Sequence, residues 1–495
     1  MKNSKTLIAP VNKELGFFRY TKIGGRYLLT NIVGDHLFLQ PKKFKQFISG
    51  NLKENDSTYK LLQKKGFLVY DSKLISNLII KYRQKHQFLY EGPSLHIIVV
   101  TLNCDYRCVY CQASSRYYKE KYSTKFDMDR STAEKVVDTI FQSPSKTITI
   151  EFQGGEPLLN WPIIQFIVER AEKLNRTFKK DLLFSLVSNF SVMTDDIFAY
   201  CRKHNISLCT SLDGPENVHN ANRPYPEGNS YQATIKWIKK IKQDEKQHPN
   251  VFHLSALLTV SRLSLKYYKK IIDEYVKNGF TGIHLRPLSQ LGFSQKNYNI
   301  IGYSEEEFFD FWKKSLDYII SLNKKKIFIY ERGVAIILQK LFLRNDSNFM
   351  DLRSPCGAGI GQLLYNYDGK IYTCDEGRML GNDTFLLGNI KKDSYLQLMS
   401  SPKLKTVCQA SILENLSCDT CVYQPYCGVC PVSNYALYGN LFAPQINTFW
   451  CKLHKDMFNY IFTKLQNPQI EDIFKTWIGL KPLTGFKNIH YPKKK

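Results

Sequence analysis

An apolar run meets three closely spaced cysteines in the segment Leu95-His-Ile-Ile-Val-Val-Thr-Leu-Asn-Cys104-Asp-Tyr-Arg-Cys108-Val-Tyr-Cys111. Cysteines separated by three and then two residues, on a loop after a strand, suit three irons of a [4Fe–4S] cube. A closed electron-transfer cluster takes four cysteines, and a structural zinc site also takes four ligands. The missing fourth cysteine therefore predicts one iron that is open to a ligand from outside the chain.

Short apolar runs alternate with helical stretches from residue 95 onward. This alternation predicts a parallel sheet with right-handed crossovers. Six such units predict an α/β fold with an open, partial (β/α)6 barrel, whose chemistry lies at the carboxyl ends of the strands. The runs are 95–102, 147–152, 182–188, 206–212, 254–260 and 282–288, and the helical stretches include Ser131–Gln142, Trp161–Leu174, Gln232–Gln243 and Leu265–Lys277.

The 13 cysteines of this 495-residue chain are concentrated in two places: three lie between 104 and 111, and eight between 356 and 451. Clustered cysteines in a large chain without an apolar leader indicate metal ligation rather than a disulfide scaffold. No apolar run approaches the roughly 18 residues of a membrane span. We therefore expect a soluble, cytoplasmic protein with no membrane span. Cys201 and Cys209 are expected to be core thiols.

The net charge of +25 raises the question of a nucleic-acid partner. The excess comes from 53 lysines against 16 arginines, spread along the whole chain. Phosphate-reading surfaces favour clustered arginines with interleaved aromatic residues, and neither clustering is evident. We expect a solvated lysine-rich surface and no nucleic-acid partner, and keep an RNA-modifying enzyme as an alternative.

The first cysteine cluster resembles the signature of the radical S-adenosylmethionine (SAM) superfamily, including an aromatic residue, Tyr110, before the third cysteine. The resemblance implies that Cys104, Cys108 and Cys111 hold a [4Fe–4S] cluster. Its open iron would chelate SAM, and reductive cleavage would yield a 5′-deoxyadenosyl radical.

Positions after the later strands match SAM-contacting positions of this superfamily. Gln153-Gly-Gly-Glu-Pro157 resembles its Gly-Gly-Glu motif, and adjacent glycines allow close backbone approach. For Ser188 and Asn189, ordinary turn chemistry at a strand end is the alternative, and for Val260 and Leu285 it is a place in the core. The implied cofactor-binding set is Tyr110, Gly154, Gly155, Glu156, Ser188, Asn189, Ser211, Asp213, Arg223, Val260 and Leu285.

The second cysteine constellation reads Cys356-x12-Gly369-x4-Cys374, then Cys418-x2-Cys421-x5-Cys427-x2-Cys430, then Cys451. It resembles the SPASM extension of radical SAM enzymes, which holds two auxiliary [4Fe–4S] clusters, so three clusters are implied in all. The extension usually has three residues before its sixth cysteine, and this chain has two. Two zinc sites remain an alternative, since zinc also binds thiolates.

The resemblance implies a distribution of these ligands over two clusters. Cys356, Cys374 and Cys430 would hold an inner auxiliary cluster. The outer auxiliary cluster would take Cys418, Cys421, Cys427 and Cys451. The inner cluster is then one ligand short, and either Cys408 fills the gap or its iron is open.

Asp375 directly follows Cys374. In related sulfatase-maturing enzymes a carboxylate at this position takes the substrate proton, so we predict the same catalytic role here. A desolvated carboxylate can act as a base when its pKa is tuned toward neutrality. A capping aspartate beside the cluster is the alternative.

Residues 1–91 are expected to form a separate N-terminal module. The runs Arg26–Val33 and Asp35–Leu39, separated by Gly34, indicate a hairpin, and helical stretches follow at Lys42–Ile48 and Ser57–Lys65. This pattern suits a winged-helix-like peptide-binding unit, with a small cap on the enzyme as the alternative. Residues 92–330 would form the barrel, and 331–495 the SPASM region with a helical tail.

Two further segments narrow the resemblance to radical SAM maturases of the His-Xaa-Ser peptide system. They are Gly24-Gly-Arg-Tyr-Leu-Leu-Thr-Asn-Ile-Val-Gly-Asp35 and Ser354-Pro-Cys-Gly-Ala-Gly-Ile-Gly-Gln362. The resemblance implies oxidation or cross-linking of side chains in a precursor peptide. It also implies a partner maturase and an electron donor such as flavodoxin or ferredoxin. Two competing hypotheses are a formylglycine-generating sulfatase maturase and a zinc-stabilised scaffold.

Overall fold

The computed structural model describes residues 15–69, 72–117, 123–248, 253–344 and 352–488. Its N-terminal part is a three-stranded antiparallel sheet of β1 (Arg19–Ile23), β2 (Arg26–Thr30) and β3 (His36–Leu39). Three helices follow, Pro41–Ile48, Ser57–Lys64 and Ser72–Lys85. The expected hairpin is confirmed, but β1 was not predicted. That the unit is a winged helix stays a prediction.

The turn between β2 and β3 is set by Asn31 and Gly34. The Asn31 side-chain oxygen accepts hydrogen bonds from the backbone N–H groups of Val33 and Asp35, at 3.2 and 2.9 Å. Gly34 has a φ of +86°, which costs glycine little. The helices cover one face of the sheet through a small apolar core that includes Leu29, Leu39, Phe44, Phe47, Leu62 and Phe67.

A nine-stranded sheet organises the rest of the described chain. The strands after β3 are β4 (Leu95–Thr101), β5 (Asn103–Cys104), β6 (Arg116–Tyr117), β7 (Thr147–Gly154), β8 (Asp181–Val187), β9 (Ile206–Ser211), β10 (Ser255–Thr259), β11 (Gly282–Ile283), β12 (Leu285–Arg286), β13 (Tyr330–Glu331), β14 (Gln362–Tyr365), β15 (Lys370–Tyr372) and β16 (Leu386–Asn389). The order in the nine-stranded sheet is β12-β10-β9-β8-β7-β4-β14-β15-β16. The six strands from β12 to β4 are parallel and correspond to the predicted barrel strands.

Helices cover one face of this sheet, as the alternating pattern predicts. On β7, Ile148, Ile150 and Phe152 are fully buried against this helical layer, and the intervening Glu151 and Gln153 face the opposite side. The sixth predicted run is broken at His284, so β11 pairs with β13 and β12 pairs with β10. The helices of this part are Arg130–Ile140, Trp161–Phe178, Asp195–Lys203, Glu216–Asn222, Ser230–Gln247, Tyr268–Lys277, Phe293–Ile301, Glu305–Lys324 and Arg332–Leu338.

The second cysteine region continues the same sheet. β14 lies parallel to β4, and β15 and β16 follow as an antiparallel extension. Six helices complete this part: Asp375–Met379, Tyr395–Met399, Pro402–Gln409, Pro431–Tyr438, Phe449–Leu465 and Pro468–Trp477. In the described ranges, no helix combines the length and apolar character needed to cross a bilayer. The predicted domain boundaries stay predictions.

Candidate functional site

The three cysteines of the first cluster lie on a loop at the carboxyl end of β4. The backbone N–H groups of Arg107 and Val109 donate to the carbonyls of Pro224 and Asn222, at 2.9 and 3.0 Å. These bonds fix the loop beside the end of helix Glu216–Asn222. Burial raises the pKa of the Cys108 thiol to about 12, with Cys111 adding to the effect. Metal ligation would remove this proton, because a coordinating thiol is deprotonated outright.

Tyr110, Asp213 and Arg223 form a buried network beside this loop. The Tyr110 hydroxyl donates to the Asp213 carboxylate, which also accepts from Arg223 Nε at 3.1 Å. Arg223 Nη1 lies 4.0 Å from Cys108 Sγ. The predicted cofactor residues thus hold one another and place a cation beside a ligand thiol. Direct contact of these side chains with SAM stays a prediction.

The glycines of the Gly-Gly-Glu motif are required by close packing of backbone on backbone. A Cβ on Gly154 would lie 2.2 Å from the Thr101 carbonyl oxygen, and one on Gly155 would lie 2.2 Å from that of Asn103. The N–H groups of Gly155 and Glu156 donate to the same two carbonyls, at 2.8 Å each. The motif therefore joins the end of β7 to the segment that leads into Cys104.

Glu156 is buried and serves as an acceptor for the end of β8. It accepts from Ser188 Oγ and the Asn189 N–H at 2.8 Å, and from the Leu158 N–H at 3.1 Å. Burial, with Asp105 nearby, raises the pKa of Glu156 to about 8. Ser188 and Asn189 thus take part in strand-end turn chemistry, the alternative left open by the sequence. Their contact with SAM stays a prediction.

The other predicted SAM contacts lie at later strand ends. Ser211 is half-buried at the end of β9, which is the expected edge. Val260 and Leu285 are buried in the main core, which fits the alternative reading of these two residues. Contact of any of the three with a nucleoside stays a prediction.

The C-terminal cysteines fall into two electrostatically linked sets. The pKa of the Cys374 thiol is raised mainly by burial, and Glu376, Asp375, Cys430 and Cys356 add to the effect. The pKa of Cys427 is likewise raised by burial first, and then by Cys421, Cys418 and Cys451. These neighbours match the inner and outer sets that the resemblance implies.

A cavity of about 150 Å³ lies between β12 and helix Phe449–Leu465, and all four cysteines of the outer set line it together with Cys430. Within the described ranges, no three His, Cys, Asp or Glu side chains lie close enough to hold a single metal ion. A cube spreads its thiolates more widely than a single zinc ion, whose Zn–S bonds measure about 2.3 Å. The donor sets are therefore compatible with [4Fe–4S] cubes.

Three cysteines lie outside these sets. Cys201 is fully buried in the main core, as expected. Cys209 is buried too, but it lies within electrostatic range of Glu151, Arg332 and Arg223. Cys408 is half-buried on helix Pro402–Gln409, and burial alone raises its pKa. Its predicted role as a fourth inner ligand gains no support from this thiol's surroundings.

Asp375 is half-buried at the start of helix Asp375–Met379, directly after Cys374. The Cys374 sulfur accepts from the Gly377 N–H at 3.3 Å, so the cysteine caps this helix. Arg378, on the same helix, donates from Nη1 to the Ala113 carbonyl at 3.1 Å. The helix thus connects the inner cysteine set with the loop of the first cluster.

Two further residues of this region were missed from the sequence. Glu151 lies within electrostatic range of Asp375, and it accepts a hydrogen bond from Gln153 Nε2 at 2.7 Å. Its signal was an acidic residue inside the apolar run Thr147-Ile-Thr-Ile-Glu-Phe152. Arg378 is 9% exposed, and Asp375 and Cys111 are within its electrostatic range. The sequence around Arg378 contains no motif that indicates a contact with residues 111–113.

The superfamily model described as radical SAM matches residues 98–259 of this chain. This range contains the three-cysteine loop, the Gly-Gly-Glu motif and strands β7 to β10. The chain is a radical SAM enzyme. SAM and a [4Fe–4S] cluster are the cofactors typical of such enzymes, and the loop Cys104–Cys111 carries the thiols that fit this cluster.

Curated relatives of this radical SAM enzyme include a cyclopropyl synthase and sulfatase-maturating enzymes. Radical SAM cyclopropyl synthase TigE of Paramaledivibacter caminithermalis is 24% identical over 429 residues, 81% of this chain and 82% of that protein. The cysteine-type anaerobic sulfatase-maturating enzyme of Clostridium novyi is 21% identical over 343 residues, 68% of this chain and 86% of its own length.

Solved structures share the fold of this radical SAM enzyme. Native anSMEcpe with bound AdoMet superposes with a TM-score of 0.61 at 19% identity, over 77% of this chain and 99% of that one. Streptococcus suis SuiB bound to precursor peptide SuiA gives a TM-score of 0.51 at 14% identity, over 85% and 95%. At these identities the likeness concerns the fold.

Proposed function

We propose that this radical SAM enzyme oxidatively modifies or cross-links side chains of a ribosomally made precursor peptide of the His-Xaa-Ser type. The observation that carries the proposal is the assembly of two further cysteine sets beside the barrel, one of them linked through Arg378 to the SAM-cluster loop. Support for a peptide substrate comes from a relative named as a sulfatase-maturating enzyme and from the similar fold of SuiB, which was solved with its precursor peptide.

Three clusters are assigned in this proposal. Cys104, Cys108 and Cys111 hold the SAM-binding cluster. The inner auxiliary cluster takes Cys356, Cys374 and Cys430, and the outer one takes Cys418, Cys421, Cys427 and Cys451. When bound, SAM and its cluster supply a 5′-deoxyadenosyl radical that removes a substrate hydrogen atom. An electron donor such as flavodoxin or ferredoxin would supply electrons.

Asp375 is assigned the role of proton acceptor for the substrate. It lies at the boundary between the barrel and the inner cysteine set, with Glu151 nearby. Arg378 also lies near Asp375. Asp375 would accept the proton and become neutral, with Glu151 and Arg378 positioned around it.

The N-terminal module is assigned to leader-peptide binding. In the described chain β1 and β3 each pair with β2, which leaves each with one edge for an added strand. The module contacts the outer cysteine region through the Tyr426 hydroxyl, which donates to the Gly34 carbonyl at 2.9 Å. A leader held there would lie on the same side of the molecule as the auxiliary cysteines. A partner maturase would complete the system.

A second candidate is the formylglycine-generating maturase. The sulfatase-maturating relatives and the TM-score of 0.61 with anSMEcpe favour it. The same site would oxidise a cysteine or serine of a sulfatase in place of a precursor peptide.

The deciding experiment is mass spectrometry of a small precursor peptide with His-Xaa-Ser repeats, co-expressed with this chain under anaerobic conditions. Loss of two hydrogen atoms per modification supports oxidation or cross-linking. Formylglycine formation in a co-expressed sulfatase, with the precursor unchanged, supports the second candidate. Iron and sulfide content provides the control, with about twelve irons per chain for three cubes. Zinc without iron contradicts both candidates.

Replacement of Asp375 by Asn tests the assignment of the base. We expect product formation to fall at least about hundredfold, the lower range for general-base catalysis, while 5′-deoxyadenosine continues to form. Iron content measured in parallel separates this effect from loss of the inner cluster. Glu134→Gln, at an exposed position on a barrel helix, serves as the control. Unchanged product formation in Asp375→Asn would make the assignment wrong.

A further inference from the structure

His454 contacts a cysteine of the outer set. Its Nδ1 lies 3.6 Å from Cys427 Sγ, and its ring lines the cavity that the outer cysteines surround. The residue follows Cys451 by three positions on helix Phe449–Leu465, a spacing that places both side chains on one helix face. Trp450 and Phe458 flank the ring, with centroids at 5.9 and 6.3 Å. The imidazole is therefore held in place by its own helix.

The direction of the hydrogen bond between His454 and Cys427 follows from the chemistry of a ligand thiolate. A thiolate sulfur accepts hydrogen bonds and has no proton to donate. A neutral imidazole carries one N–H, and the partner of each ring nitrogen selects the tautomer. With Cys427 ligated, Nδ1 therefore holds the proton and donates it toward the sulfur.

Lys340 adds a buried positive charge close to Cys427. The residue is 6% exposed, and its ammonium donates to the carbonyls of Leu352 and Tyr426, the second at 3.2 Å. Tyr426 directly precedes Cys427, so the ammonium binds the peptide group next to this cysteine. Lys340 lies in the π-helical segment Gln339–Leu343, and such segments are frequent at functional sites.

We infer that His454 and Lys340 are positioning residues that raise the reduction potential of the outer auxiliary cluster. A reduced cluster would carry one more negative charge, which a donated hydrogen bond and a nearby cation stabilise. This inference rests on the proposed assignment of two auxiliary clusters.

The test is an EPR-monitored redox titration of anaerobically reconstituted protein, with dithionite as the reductant. The parent protein is Cys104→Ala, Cys108→Ala, Cys111→Ala, which lacks the SAM cluster and keeps the auxiliary cysteines. Two one-electron steps are expected. Further replacement of Cys356, Cys374 and Cys430 by Ala should remove the inner step and so assigns the remaining step to the outer cluster.

His454→Phe keeps a ring and removes the N–H, and His454→Gln keeps a donor. We expect the equilibrium constant for reduction of the outer cluster to fall about tenfold in His454→Phe, the size of a lost charge-assisted hydrogen bond and about 59 mV for one electron. The inner step should not move, and His454→Gln should stay near the parent value. Lys340→Met should shift the same step in the same direction.

Lys464→Met, on the same helix and paired with Asp317 at 2.7 Å, is the matched control and should leave both steps in place. If neither step moves in His454→Phe, or both move equally, the inference is wrong. If Lys340→Met fails to fold, the two His454 variants still decide. Iron and sulfide content separates this outcome from failure of the proposed function, because a protein without auxiliary clusters shows no redox steps in the parent variant.

Discussion

Gly155 illustrates how single residues shape the SAM-cluster loop. Its missing side chain allows the end of β7 to touch the carbonyl of Asn103, one residue before Cys104. The neighbouring Glu156 then holds the end of β8 through Ser188 and Asn189. The motif therefore acts first on the chain's own backbone, and the loop of Cys104–Cys111 depends on it.

Gly155→Ala should weaken SAM binding. The added Cβ meets backbone atoms that cannot rotate away, so the end of β7 must shift, at a cost typical of overpacking, about 1–3 kcal/mol. We expect at least about a tenfold loss of SAM affinity by equilibrium dialysis, with reduced iron content. Gly228→Ala is the control, because its Cβ would lie 3.5 Å from the nearest atom. Unchanged affinity would show that the loop tolerates the shift.

At the scale of elements, the contact between β4 and β14 joins the barrel to the second cysteine region. His96 on β4 lies fully buried, with Nδ1 3.2 Å from the Tyr365 hydroxyl and Nε2 3.2 Å from the Pro93 carbonyl. Burial lowers the pKa of His96 to about 3, against an ordinary value of 6.5. The neutral ring is part of this strand pair, so the stability of the pair depends on pH.

Acidification should destabilise the fold through His96. Below about pH 6.5 His96 is protonated in the unfolded chain, whereas in the folded protein it stays neutral down to about pH 3. The free energy of unfolding therefore falls as the pH falls. The slope approaches about 1.4 kcal/mol per pH unit for this residue. His96→Phe should show a shallower loss between pH 7.5 and 5.5 in urea denaturation followed by tryptophan fluorescence.

The wild-type protein is the reference. Any acid lability of the clusters contributes equally to the slopes of the wild type and of His96→Phe, so the difference between the slopes reports on His96. His253→Phe, at an exposed position, should keep the wild-type slope. Equal slopes in His96→Phe and the wild type would mean that His96 does not govern this pH dependence.

At the scale of the whole molecule, the barrel and the second cysteine region share one sheet, and polar contacts join the N-terminal module to the later parts. Asp35, 6% exposed, pairs with Lys81 of its own module at 3.1 Å and with Arg344 of the following part. Thr30 Oγ1 donates to the Val422 carbonyl at 2.7 Å, close to the outer cysteines. The N-terminal module therefore lies against the outer cysteine region. The strands of the barrel sheet come from residues after 94.

Deletion of residues 1–90 should separate peptide binding from SAM chemistry. We expect the affinity for the leader of a His-Xaa-Ser precursor peptide to fall at least about tenfold in fluorescence anisotropy. Formation of 5′-deoxyadenosine without peptide should persist, because the contacts described for the first cysteine loop come from the barrel and from Arg378, which the deletion leaves in place. Asp56→Asn, an ion-pair change inside the module that leaves its docking contacts in place, is the control. Equal leader affinity with and without the module would contradict the assigned role.

The order of the elements was predictable because apolar periodicity is a local property. The six barrel strands and their helices appear where the runs lie, and the last run differs because His284 interrupts it. The strands β1 and β14 were not predicted, since their pairing partners lie elsewhere in the chain. Glu151 was missed for the same reason: its neighbour Asp375 is 224 positions away in the sequence.

The sequence by itself determined the class of chemistry. Three cysteines within eight residues, after an apolar run and without a fourth, must share one site whatever the rest of the chain does. The sites that combine distant segments needed the tertiary structure. Spacing alone left the grouping of the C-terminal cysteines open, and only folding brings His454 to Cys427 and Arg378 to the loop at Ala113. The physical reason is that electrostatic and hydrogen-bond neighbours are set by distance in space, which sequence separation does not encode.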